Sequence, residues 1–312
     1  MKWTPFPVAI AAALLLAACG DDANKAASDT TPAPASASAT TSQVAEAPTS
    51  STLPAPSKIV SLSPTGTEML FAIGAGDQVL AVDDQSNYPP EALQKPHDLS
   101  GLEPNVEAIA ALHPDLVVIS DDTTGLTKQL EALGLKVWSG PAATSFDNVY
   151  DQIEQLGAAT GHVADAAALV LQMQTDIAAA VKAAPKAAQP LTYYHELDNT
   201  YYSVTENTFI GQVYSLFGMH SIADLQEVSS DYPQLSAEAI ISADPDFIFL
   251  ADGGFGESPE TVAARPGWGS LKAVTGGNVV VVDADISSRW GPRIVDYIKS
   301  VSAAVAKVAV AG

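Results

Sequence analysis

Glu107-Ala-Ile-Ala-Ala-Leu-His-Pro-Asp-Leu-Val-Val-Ile119 returns 131 residues later as Glu238-Ala-Ile-Ile-Ser-Ala-Asp-Pro-Asp-Phe-Ile-Phe-Leu250. Each copy reads as a short helix, a Pro-Asp break and a continuous apolar run, the pattern of a helix feeding a strand buried on both faces. The duplication predicts two similar α/β lobes. Asn105 and Ser236 stand two residues before Glu107 and Glu238 as matched helix caps, so the two glutamates should occupy equivalent positions.

Outward from the repeat, apolar runs at 58–63, 79–83, 116–120 and 136–139 alternate with helical patterns at 65–73, 106–112, 126–133 and 146–157. Strands alternating with helices imply mostly parallel sheets. The second lobe repeats the scheme, with strands expected at 191–196, 201–204, 247–251 and 279–283 and helices at 209–217, 237–242 and 292–308. Between them, residues 163–184 are Ala-rich with no breaker until Pro185. A helix of that length spans about 33 Å and would brace both lobes more stiffly than a loop. The expected boundaries are a first lobe at 57–161, a connecting helix at 162–186 and a second lobe at 187–312.

The chain opens with Lys2, an apolar run from Val8 to Ala18 and Leu16-Ala17-Ala18-Cys19, the pattern of a lipoprotein signal peptide over residues 1–18. That run is too short to span a bilayer. Cys19, the single cysteine, suits a thiol consumed by lipidation and excludes internal disulfides. Residues 19–56, mostly Ala, Ser, Thr and Pro, form a tether with too little apolar surface to fold. The formal charge is −22, and removing residues 1–18 takes away one Lys and no acid, giving −23. Nucleic acid and anionic lipid are therefore poor partners, leaving the lipid anchor as the membrane contact.

Catalytic signatures are missing: no phosphate loop, nucleophile elbow or His-Glu-x-x-His helix occurs. No enzymatic activity is expected. His195-Glu196, with Asp198 nearby, is the one stretch that could begin a metal site, which makes His195 a weak candidate ligand. Tyr88 and Tyr232 precede prolines on loops, Tyr193, Tyr194, Tyr201 and Tyr202 crowd the start of the second lobe, and Trp290 follows Arg289. Tyrosines on such loops suit a large, flat, amphipathic ligand.

Four segments, Val60-Ser-Leu-Ser-Pro-Thr-Gly-Thr-Glu68, Ser86-Asn-Tyr-Pro-Pro-Glu-Ala92, Arg265-Pro-Gly-Trp268 and Arg289-Trp-Gly-Pro-Arg293, resemble the type III substrate-binding lipoproteins of ABC importers for cobalamin and ferric siderophores. The resemblance covers about residues 57–308. It implies two lobes joined by one rigid helix, a ligand in the cleft between them, and delivery to a permease and, through it, an ATPase. On that reading Tyr88, Tyr232, Arg289, Trp290, Tyr194 and Tyr202 are the ligand-binding candidates, and Glu107 and Glu238 dock onto permease arginines. No cofactor is implied beyond the ligand itself, and a monomer is expected, held on the extracytoplasmic face of the cell membrane, within the periplasm if the host has an outer membrane. The family's first-lobe pocket tryptophan has no counterpart near Ser100-Gly101-Leu102. Cobalamin, a hydroxamate siderophore and haem remain open as ligands, with a metal-ion receptor of the same build, and an enzyme on this scaffold, as alternatives.

Overall fold

The structure is a computed structural model that describes residues 55–311 apart from Thr123, Ala188 and Val228. The signal segment, Cys19 and nearly all of the tether lie outside the described residues.

The first lobe runs β1 (Ile59–Leu62), α1 (Pro64–Ala72), β2 (Val79–Val82), α2 (Val106–Ala111), β3 (Leu116–Ile119), α3 (Leu126–Ala132), β4 (Val137–Ser139) and α4 (Phe146–Thr160). The long helix α5 (Val163–Ala183) follows. The second lobe then runs β5 (Leu191–Glu196), α6 (Phe209–Ser215), β6 (Met219–Ser221), α7 (Ala237–Ala243), β7 (Phe247–Leu250), α8 (Pro259–Ala264), α9 (Lys272–Thr275), β8 (Val279–Val281), α10 (Ala284–Ser288) and α11 (Ile294–Ala311). The sheets have the orders β2-β1-β3-β4 and β6-β5-β7-β8, and every pairing is parallel. One topology is therefore used twice. Three of the four central strands, β1, β3 and β7, are largely apolar runs covered on both faces, with Ile59, Val60, Val117, Val118, Phe247 and Ile248 all fully buried, whereas β5 carries buried His195 and Glu196.

The repeat extends to the backbone. His113 and Asp244, the residues before the matched prolines, both adopt left-handed φ, 50° and 47°. Asp115 Oδ2 then accepts from the Ser57 and Lys58 amides at 2.8 and 3.0 Å, and Asp246 Oδ2 from the Thr192 amide at 2.9 Å. In both lobes the Pro-Asp aspartate thus ties the third strand to the start of the first.

Three apolar clusters divide the interior. One covers the outer face of the first sheet, with Val60, Ile109, Val117 and Leu130. A second covers the outer face of the second sheet, with Tyr194, Ile240, Ile248 and Trp268. The third belongs to both lobes: Ile59 and Leu70, Ile153 of α4, Met173 of α5, Phe209 of α6, Phe249, and Ile298 of α11 are members of one continuous core. The 21-residue α5, about 32 Å long by helix geometry, is a member of that core and not an isolated strut. Gly157 sets its distance from α4, since a Cβ there would meet Ala166 Cβ at 2.4 Å.

One strand expectation is corrected. Tyr201–Val204 forms no sheet strand: Tyr201 takes φ 73°, and the segment pairs instead with the 231–235 loop, through Ser203 N to Pro233 O at 2.9 Å and the Tyr202–Gln234 bridge. The fourth strand of that sheet is β6, whose three residues include His220.

Candidate binding cleft

In both sheets the chain leaves the central pair, β1/β3 or β5/β7, in opposite directions, and ligands of open α/β sheets bind outside the carboxyl ends at such points. The first point is hydroxyl-lined. Ser63 caps α1 by accepting from the Gly66 amide, and Ser120 donates to Ser63 at 2.8 Å. The second carries charge. Arg265 reaches both oxygens of fully buried Glu196 at 2.6 Å and Glu257 at 2.7 Å, with its guanidinium 4.7 Å from the Trp268 ring centre. Asp252 lies beside them, buried, with neither carboxyl oxygen hydrogen-bonded among the described residues. Burial, and secondly the Glu196 charge, push its pKa up to about 7.

The predicted binding residues separate into groups. Tyr88, Arg289 and Trp290 each make contacts across a seam between the lobes. Trp290 Nε1 donates to Gln152 of α4 at 3.0 Å, and the Arg293 guanidinium stands 4.1 Å from the centre of the Tyr88 ring. A cavity of about 490 Å³ opens there, with Phe71, Tyr88 and Pro89 on one wall and Pro292, Arg293 and Asp296 on the other. Tyr232 and Tyr202, both half-exposed, sit on the paired loops of the second lobe and do not line that cavity. Arg289 is not a free cation. Its guanidinium donates to Glu68 at 3.0 Å, Asn87 at 2.8 Å, the Gln85 carbonyl at 3.2 Å and Asp285 at 2.8 Å.

Two candidates are corrected. Tyr194 is fully buried, edge-on to Trp268 with ring centres 6.0 Å apart, so it packs the outer core and offers no surface to a ligand. His195 is likewise fully buried. Its Nδ1 is 2.7 Å from the Tyr214 hydroxyl, and strand alternation turns it to the opposite face from Glu196, which dissolves the proposed His-Glu-Asp set. Burial pushes its pKa down to about 3, so the imidazole stays neutral.

Glu107 and Glu238 are both exposed and sit second in α2 and α7, behind caps in which Asn105 accepts from Ala108 N and Ser236 from Ala239 N. Neither makes a salt bridge among the described residues. The sequence reading missed Glu68, Asn87 and Asp285, the partners of Arg289. It also missed Leu102, 82% exposed, on the loop before α2 that corresponds to the Tyr232 loop before α7. By the 131-residue offset Tyr232 corresponds to Gly101 and Leu102 to Pro233, so the repeat marks the loop and not the residue.

Two equivalent parallel-sheet lobes on a shared core, with their strand ends open to a seam, define a two-lobed solute receptor. The chain belongs to the periplasmic binding protein family, whose model matches residues 59–286. It is 35% identical over 250 residues to a cobalamin-binding protein of Halobacterium salinarum, covering 77% of this chain and 67% of that one. It is 31% identical to the ABC transporter substrate-binding lipoprotein YvrC of Bacillus subtilis, covering 80% of each. The crystal structure of the periplasmic vitamin B12-binding protein BtuF of Vibrio cholerae superposes with a TM-score of 0.67 at 27% identity, over 82% of this chain and 99% of that one. The protein is therefore the extracytoplasmic substrate-binding component of an ABC importer, of the type III build.

Proposed function

We propose that this receptor captures a near-neutral metal chelate, a corrinoid before a hydroxamate siderophore, and passes it to the permease as a monomer held to the membrane through lipidated Cys19. One observation carries the ligand class. The chain has only three arginines, and all three are paired with carboxylates: Arg265 with Glu196 and Glu257, Arg289 with Glu68 and Asp285, and Arg293 with Glu68. A polyanionic catecholate chelate needs a cluster of uncommitted cations, and these guanidiniums are spent. A corrinoid, whose cobalt–corrin cation is offset by its own phosphodiester, needs none. The cobalamin-binding relative supports the order of preference. A corrinoid exceeds the seam cavity, so its body would lie across the strand ends, against Tyr232 and Tyr202 as well as Tyr88.

The test is an absorbance spectrum of the protein incubated separately with cyanocobalamin, a ferric hydroxamate and haem, then desalted. Retention of cyanocobalamin at one per chain is expected; retention of haem alone would overturn the reading. Tyr232→Ala should weaken retention of the bound chelate roughly 30-fold, the cost of truncating an aromatic anchor. For the anchor, Cys19→Ser protein should leave the membrane fraction yet bind as wild type. Its persistence in the membrane would count against lipidation.

A further inference from the structure

We propose that Glu68 is a positioning residue for the binding cleft: with Arg289 and Arg293 of the second lobe it forms a latch that holds the Asn87-Tyr88 tip of the first lobe in place. The geometry is one connected set of bonds across the seam. Glu68, on α1, is almost wholly buried, and its carboxylate takes both arginines, Arg289 at 3.0 Å and Arg293 through Nε at 2.9 Å and Nη2 at 2.5 Å. The same arginines reach on to the loop after β2. Arg289 donates to the Asn87 side chain and the Gln85 carbonyl, Asn87 donates to Asp285 at 2.8 Å, and Arg293 covers the Tyr88 ring.

The division of labour along that loop decides the assignment. As far as Ser86 it is held mainly by its own lobe, through the Gln85 amide to Asp83 at 3.2 Å and Ser86 Oγ to Thr67 at 2.8 Å, with the Gln85 carbonyl alone among these groups taking a bond from Arg289. Beyond Ser86, the polar and cation–π contacts that the Asn87 and Tyr88 side chains make among the described residues go to residues 285–293 of the second lobe. The binding tyrosine of one lobe is therefore oriented by the other. Four charges, Glu68, Asp285, Arg289 and Arg293, balance within the cluster, so it is closed without drawing on a ligand. Separation of the lobes would strip these contacts from Tyr88 and loosen its hold on a bound chelate. That functional half rests on the receptor reading above; the latch itself does not.

The test uses Glu68→Gln, which keeps the shape and removes the charge, and Asn87→Ala, which removes only the exposed outer bonds and leaves the buried ion cluster in place. Hydrogen exchange in the free protein should be about tenfold faster over residues 85–91 in both variants, with β3 and β7 as protected as in wild type. Dissociation of whichever chelate wild type retains should also be about tenfold faster, at little change in the melting temperature of Asn87→Ala. Unchanged exchange over 85–91 in Asn87→Ala overturns the latch, even if Glu68→Gln fails to fold. Faster exchange with unchanged dissociation reduces Glu68 to an ion pair of the fold and overturns the positioning role. Failure of wild type to retain any of the three chelates sinks the ligand reading and leaves the exchange result to decide the latch.

Discussion

Asp252 is a buried carboxyl group with no hydrogen-bond partner among the described residues, and its ionisation should be visible in the stability of the protein. Burial raises its pKa from 3.8 to about 7, so the folded state keeps a proton that the unfolded chain has released. The cost of folding it thus grows from about pH 4 and levels off near pH 7. Asp252→Asn removes that cost. Chemical denaturation should find the variant more stable than wild type by roughly 2–4 kcal/mol at pH 8 and nearly equal to it at pH 4. A constant difference across that range would show that Asp252 does not titrate as assigned. This residue was not legible in the sequence, because an acid after a strand reads as an ordinary polar loop. The matched positions of Glu107 and Glu238 were legible, because the second copy repeats them, while the Pro-Asp pair read only as a break and not as a tie between strands.

At the scale of the element, apolar runs located β1 to β4, β5, β7 and β8, most cleanly at β3 and β7, which are covered on both faces and apolar throughout. β6 escaped because three residues with a histidine among them carry no period, and Tyr201–Val204 displaced it because its β-favouring composition was overruled by the left-handed Tyr201. The contact of α4 with α5 depends on Gly157, and a methyl group there would overlap Ala166. Gly157→Ala should cost about 1–3 kcal/mol through overpacking. The reciprocal pair Gly157→Ala, Ala166→Gly should recover part of that loss in thermal melts, since the two Cβ positions are the ones in conflict. No recovery would place the strain at the His162 carbonyl, 3.0 Å from the same Cβ.

At the scale of the whole molecule, the chain meets its permease as a strongly acidic body with one exposed glutamate at the same helical position in each lobe. A carboxylate near a helix start can simply favour the helix dipole, worth about 0.3–1 kcal/mol. Docking predicts more, because reversing a charge turns steering attraction into repulsion. Glu107→Arg, Glu238→Arg protein should bind its chelate and melt close to wild type, yet fail to stimulate ATP hydrolysis by the reconstituted importer. Undiminished stimulation would leave these glutamates only a favourable charge at the helix start and the repeat a mark of common ancestry only. The core common to both lobes has a further result for traffic through the importer. A ligand shifts a conformational equilibrium only by its differential affinity for the two states, and a body locked by shared packing offers it little to shift. An empty receptor should therefore present the permease with nearly the same face as a loaded one, and the two should compete for one landing place. With ligand held fixed, raising the receptor above it should drive uptake through a maximum and then down, whereas a plateau would mean that the transporter reads occupancy before it lets the receptor land.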